Sequence, residues 1–100
     1  MNARLFLCAA LLAGCATQNA APPGAQVALG RLQQTVVAGQ TTKAQLLAAF
    51  GPTKNVRFDS GFEAWVYQSP GGAGQFSEFV VLLDPSGVVS KTRTRAPSPP

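Results

Sequence analysis

Few side chains in this 100-residue sequence are equipped for covalent or acid–base chemistry. There are two thiols, Cys8 and Cys15, four carboxylates, Asp59, Glu63, Glu78 and Asp84, and no histidine. Without an imidazole there is no Ser-His or Cys-His pair to activate a nucleophile, and the commonest zinc ligand is missing. The four acids lie near turn residues and lack the paired placement that divides acid and base roles between two carboxylates. The glycines of Pro70-Gly71-Gly72-Ala73-Gly74 do not lead into a helix with a lysine, so they do not read as a phosphate-cradling loop. The expectation is a non-enzymatic chain with no catalytic residue, metal or cofactor. One thiol stands apart. Cys15 closes Leu12-Ala13-Gly14-Cys15, directly after the apolar run from Leu5 to Leu12 that follows Arg4.

A basic start, an apolar segment of about 7–15 residues and small residues at the cut make a secretory signal. Here the small residues end in a cysteine, the pattern L-[AS]-[GA]-C, and the stretch resembles the lipobox of bacterial lipoproteins. The apolar run holds the segment in the bilayer, so the Cys15 thiol at the membrane surface can accept a diacylglyceryl group as a thioether. Ala13 and Gly14 leave room for a peptidase to cut between Gly14 and Cys15. The resemblance implies N-acylation of the new Cys15 terminus. By the sorting rule of enteric lipoproteins, Ala16 after the cysteine implies the outer membrane, with the domain in the periplasm. A membrane-spanning helix needs about 20 apolar residues, and Gln18 and Asn19 arrive too soon after Leu5. A buried core helix would leave Arg4 at its start and Gly14-Cys15 at its end unexplained. Cys8, preceded by the bulky Leu5-Phe6-Leu7, leaves with the signal.

The expected organisation is therefore a signal at 1–14, a lipidated cysteine and flexible tether at 15–25, a domain at 26–95 and a disordered tail at 96–100. With one cysteine removed and the other acylated, the domain has no disulfide and must hold itself together by packing. At roughly 70 residues it is near the lower limit for doing so. The whole chain carries a formal +4. Arg4 departs with the signal, so seven basic residues against four acids leave +3, most of it from Lys91, Arg93 and Arg95. So small a charge does not point to nucleic acid. Anionic lipid headgroups or lipopolysaccharide suit it better, and the bland alternative is a solvated strand end.

Ala20-Ala21-Pro22-Pro23-Gly24 reads as tether. The apolar residues Val27, Leu29 (or Ala28), Leu32, Val36 and Val37 predict a first helix, ended by Gly39. Thr42 with Gln45 is a capping-box pair opening a second helix, whose apolar face is Leu46, Leu47, Ala49 and Phe50 and whose stop is Gly51-Pro52. Strands are predicted at Val56–Phe58, Phe62–Tyr67, Phe76–Leu83 and Val88–Thr94. Asp59-Ser60-Gly61, the Pro70–Gly74 loop and Asp84-Pro85-Ser86-Gly87 join them, with the Asp84 side chain serving its turn. Two helices followed by consecutive hairpin strands predict an α+β fold, two short helices packed on an antiparallel sheet of three to four strands. Leu46, Phe50, Val80 and Leu82 are the expected core.

Several segments together resemble the SmpA/OmlA family of BamE-like outer-membrane lipoproteins. They are Gly39-Gln40-Thr41-Thr42-Lys43-Ala44-Gln45-Leu46, Phe50-Gly51-Pro52, Trp65-Val66-Tyr67 and Val80-Val81-Leu82-Leu83-Asp84-Pro85-Ser86-Gly87-Val88. The resemblance spans about residues 27–93. It implies two helices against a three-stranded antiparallel sheet and an accessory role in outer-membrane protein assembly or envelope integrity. The chain departs from the family in one extra residue between Gly39 and Thr42. It also lacks, after Cys15, the Tyr-Arg-Pro-Asp-Ile-like segment through which family members contact a partner lipoprotein and phosphatidylglycerol. Two other functions fit the same residues, a periplasmic binding or inhibitory module and a structural envelope tether. In each case a partner needs a surface. Two helices cover one sheet face, and alternate strand residues share a face. Glu63, Trp65 and Tyr67 are expected outward with Lys91, Arg93 and Arg95, the last three sharing their face with Val89. Trp65, Tyr67, Lys91, Arg93 and Arg95 are thus the candidate partner-binding residues, the alternative being that Trp65 is core.

Overall fold

The computed structural model describes residues 22–96. Gly14, Cys15, the signal and the first part of the tether lie outside the described residues, as do the last four residues of the tail. Within them the chain folds as α+β, two helices on one five-stranded mixed sheet, one or two strands more than expected. The elements in order are β1 (Ala25–Gln26), α1 (Leu29–Thr35), α2 (Lys43–Phe50), β2 (Lys54–Arg57), β3 (Glu63–Pro70), β4 (Phe76–Leu83) and β5 (Val89–Arg95). A single 3₁₀ turn, Gly72–Gly74, sits in the β3–β4 loop.

The capping box is realised. Gln45 N donates to Thr42 Oγ1 at 3.2 Å and Thr42 N donates to Gln45 Oε1 at 2.9 Å, which pairs two of the donors a helix start leaves open. At the other end of α2, Gly51 adopts φ +78° and its N–H bonds Leu47 O at 2.9 Å, a conformation that costs glycine least. The first helix is shorter than expected. It ends at Thr35, with Val36 extended, rather than running to Gly39. A hydroxyl takes over there: Thr41 Oγ1 accepts from Val37 N at 2.8 Å and donates to Thr35 O at 3.2 Å. The β-branched Val36-Val37 pair, poorly suited to a helix, is freed to enter the loop.

The end of the expected tether belongs to the sheet instead. Ala25 and Gln26 pair in parallel with Tyr67 and Gln68. Thr53 Oγ1 accepts from Ala25 N at 2.8 Å and itself donates to Val66 O, and Gln68 Nε2 donates to Pro23 O at 3.1 Å. Gly24 makes this approach feasible: its φ is +132°, and a Cβ there would lie 2.7 Å from Val66 O. The long β3 thus shares one edge between β2, along Glu63–Val66, and β1, along Tyr67–Gln68, while β4 and then β5 continue antiparallel from its other edge.

The core is Val27, Leu32, Val36, Leu46, Trp65, Tyr67, Phe79, Val81, Leu83 and Val89, with Phe50 packed half-buried against it. Leu46 is buried as expected, whereas Val80 and Leu82 lie on the opposite sheet face from the helices and are half-buried. The correction has a simple cause. Val80-Val81-Leu82-Leu83 is apolar at every position, so its alternation carries no phase. Packing of Phe79, Val81 and Leu83 beneath the helices decides it. The Asp84 turn forms as expected. Asp84 Oδ1 accepts from Ser86 N at 2.9 Å, Ser86 Oγ at 2.6 Å and Val88 N at 3.1 Å. These bonds, the Ser86 hydroxyl foremost, hold its carboxyl below the usual carboxylate range.

Candidate docking face of the sheet

Because the helices occupy one sheet face, the strand registers define the other. Paired residues of neighbouring strands point to the same side, so rows of side chains can be followed across the sheet. One row is Val56, Ala64, Leu82, Lys91; the next is Lys54, Val66, Val80, Arg93; a third is Gln26, Gln68, Glu78, Arg95. Each row ends on a cation of β5. Successive rows lie about 6.8 Å apart, two residues of antiparallel strand.

The middle of this face is apolar and only partly covered. Ala64, Val66, Val80 and Leu82 are half-buried, and Val56 is 44% exposed. Phe58, just beyond β2, is 47% exposed. Every residue of β5 after Val89 is exposed. Among the described residues, Lys54, Lys91, Arg93 and Arg95 enter no ion pair, whereas Lys43 and Arg57 are both bound to Glu63. The face therefore combines a shallow apolar centre with a row of cations along one side, where Glu78 stands opposite Arg95 without forming an ion pair.

The sequence-predicted residues divide. Lys91, Arg93 and Arg95 do line up on the helix-free face. Trp65 and Tyr67, expected beside them, are buried against the helices at 3% and 0% exposure. Their polar tips suggested an outward position, but Trp65 Nε1 finds its acceptor inside, at 3.0 Å from Glu63 Oε1. Area decides the rest, since aromatic rings are the largest apolar surfaces the strand can remove from water. Tyr67 makes an edge-on contact with Phe50, ring centroids 5.4 Å apart, and its hydroxyl has no hydrogen-bond partner among the described residues. Val89 also parts from the three cations. A slip in register between Leu82 and Leu83 pairs Leu83 with Val89 but Leu82 with Lys91, so Val89 enters the core and the row after it turns outward. Such a one-residue bulge is not readable from an alternating pattern.

Lys54, Val56 and Val66, not singled out by the sequence, complete the face together with Val80 and Leu82, which were expected in the core. The signal that could have found them was the pairing of β2 with β3, which places Val56 and Lys54 opposite Ala64 and Val66.

No family model, curated protein or solved structure matches this chain. Two shallow depressions flank α2, one lined by Thr35, Val37, Gln40, Thr41 and Gln45, the other by Thr42, Lys43, Ala44, Leu47, Ser86 and Gly87. Neither brings a carboxylate or thiol into a cleft. Two of the four acids have other partners: Glu63 bonds Lys43, Arg57 and Trp65, and Asp84 holds its turn. No helix among the described residues is long and apolar enough to cross a membrane.

Proposed function

We propose that this is a small outer-membrane lipoprotein, anchored through Cys15 and exposing its domain to the periplasm, that acts without catalysis as an accessory or scaffold in outer-membrane protein assembly or envelope integrity. The observation that carries the docking role is the helix-free sheet face, where the apolar Val56, Val66, Val80 and Leu82 border Lys91, Arg93 and Arg95. Apolar area beside basic side chains suits a protein interface, in which arginine is enriched. The lipobox at Leu12-Ala13-Gly14-Cys15 and the resemblance to the SmpA/OmlA family support the location and the accessory role. A face held close to a bilayer by a lipid anchor also gains from anionic headgroups.

Co-purification from detergent-solubilised membranes tests the reading. Recovery of barrel-assembly subunits with the wild-type chain, lost when Lys91, Arg93 and Arg95 are all changed to Glu, is the expected result. Recovery of one periplasmic enzyme instead would make it a binding or inhibitory module, and recovery of peptidoglycan or lipopolysaccharide a structural tether. Intact mass of the membrane-extracted protein is expected to show a chain beginning at Cys15 with added acyl mass. A Cys15→Ser form that stayed membrane-bound and processed would overturn the anchor.

A further inference from the structure

The cations of β5 lie on an edge strand, and the backbone of that edge is only partly used. Along its first residue the chain pairs with itself. Val89 N donates to Thr41 O at 2.8 Å, Gly39 N donates to Val89 O at 2.7 Å, and Thr42 forms an antiparallel bridge with Val88. The segment from Gly39 to Thr42 is in effect the start of a sixth strand, and it stops there. Beyond it, among the described residues, β5 is the last strand of the sheet and pairs only with β4. In an antiparallel ladder, backbone groups alternate between the two neighbours. After the one-residue slip at Leu82/Leu83, the outward-facing N–H and C=O groups fall on Thr92 and Thr94. Among the described residues nothing bonds them.

We infer that the open edge of β5 takes an extended, acidic segment of a partner protein as an added strand, beginning where the Gly39–Thr42 segment leaves off. The inference deepens the docking role proposed above by naming the partner's chemistry. Strand addition supplies main-chain hydrogen bonds for affinity and alternate side chains for specificity. Lys91, Arg93 and Arg95 recur every second residue on one face, with Thr92 and Thr94 between them. The complementary strand therefore carries Asp or Glu at alternate positions and small or β-branched residues between. A second copy of this chain fits poorly. Antiparallel pairing of two β5 edges about Arg93 would set Lys91 against Arg95 and Arg93 against itself, and like charges directly opposite are destabilising. Charged edges deter indiscriminate pairing of strands, and here the same charges select an acidic one. A lipid surface would satisfy the cations but would leave the Thr92 and Thr94 backbone groups without ordered partners.

The test uses the full-length lipidated protein in detergent micelles and a capped eight-residue peptide alternating Glu with Thr. Binding by the peptide should slow amide exchange at Thr92 and Thr94. Two further peptides carry N-methyl groups on one or the other set of alternate amides. Edge pairing predicts that one set weakens binding at least tenfold while the other changes it by less than about threefold. Arg93→Glu should weaken the acidic peptide at least tenfold and favour a Lys–Thr peptide, with amide protection in β4 reporting that the fold is kept. Absence of peptide binding overturns the inference. So does equal tolerance of both N-methylated sets, which would mean charge attraction alone. Binding only to vesicles containing anionic phospholipid, lost in Arg93→Glu, would make the row a lipid contact and also overturn it. Failure here with barrel-assembly subunits still recovered from membranes would remove the added strand while leaving the accessory role standing.

Discussion

Trp65 and Glu63, two residues apart on β3, share the buried side of the strand, and the indole N–H donates to the carboxylate at 3.0 Å. The same carboxylate receives Lys43 Nζ from α2 at 3.0 Å and Arg57 Nη2 from β2 at 2.8 Å. Glu63 is thereby the one acid that ties helix, edge strand and central strand together. Arg57 is mostly exposed, so its share is screened by solvent, whereas the indole bond is shielded.

This geometry sets a pH dependence. The Trp65 indole first, then Arg57 and Lys43, hold the Glu63 carboxyl at about 2, below its ordinary 4.5. In the unfolded chain it titrates at the ordinary value, so the stability it confers is complete above about pH 4.5 and is lost as pH falls toward 2. Glu63→Gln should lose about 2 kcal/mol at pH 7, as expected for hydrogen bonds to a charged group. The gap between the variant and the wild type should close below pH 3 in urea unfolding curves. A gap unchanged by acid would refute the assignment.

Tyr67 presents the opposite case. Its hydroxyl is buried without a partner among the described residues, and burial pushes its titration from 10 up to about 12. Removing an unpaired buried polar group relieves its desolvation. Tyr67→Phe should therefore match or exceed the wild type, by up to about 1 kcal/mol, a rise of up to about 4–8 °C in Tm for a domain of this size. The wild type, unlike the variant, should lose stability between pH 10 and 12, where only the unfolded phenol ionises. A clear loss of stability in Tyr67→Phe at neutral pH would show that the hydroxyl has a partner.

Adjacent valines on β4 report the phase of the sheet. Val81 is fully buried beneath the helices and Val80 is half-buried on the other face. Val81→Ala should cost about 2–3 kcal/mol and Val80→Ala less than about 1, since the cost follows the volume left unfilled. Chemical denaturation of both variants measures the difference. Equal losses would mean that both faces are covered.

Gly24 tests whether β1 is part of the domain. At φ +132° with Val66 O 2.7 Å from a Cβ position, Gly24→Ala carries strain of about 1–3 kcal/mol. The expected readout is local. Amide exchange at Ala25 and Val27, bonded to Thr53 Oγ1 and Gln68 O, should accelerate well before that of β3 and β4. Unchanged protection there would show that the approach tolerates a side chain.

Much of the scaffold was legible in the residues themselves. Thr42 and Gln45 announce a helix start, Gly51-Pro52 its end, Phe76–Leu83 a strand, and Asp84 to Gly87 a turn. Each depends on interactions spanning only a few residues, so local chemistry decides it. The buried end of β3 was not legible, because Gln68 and Ser69 are polar, and Gln68 gains its neighbours only once Pro23–Gln26 folds back beside the strand. The same holds for the parallel pairing of β1, which joins positions some forty residues apart.

The sequence by itself determined that the helices cover one face of a small sheet, and that Lys91, Arg93 and Arg95 lie on a common strand face. What it could not contain is which face that is. A strand apolar on both sides offers two phases of nearly equal local energy. The choice falls to the packing of Trp65, Tyr67, Phe79 and Val81 against Leu32 and Leu46, which come together only in the tertiary structure. The slip at Leu82/Leu83 then separates Val89 from the cations that follow it. A single residue in register moves every later side chain to the other face, and that step sends the basic row out to the open side of the sheet.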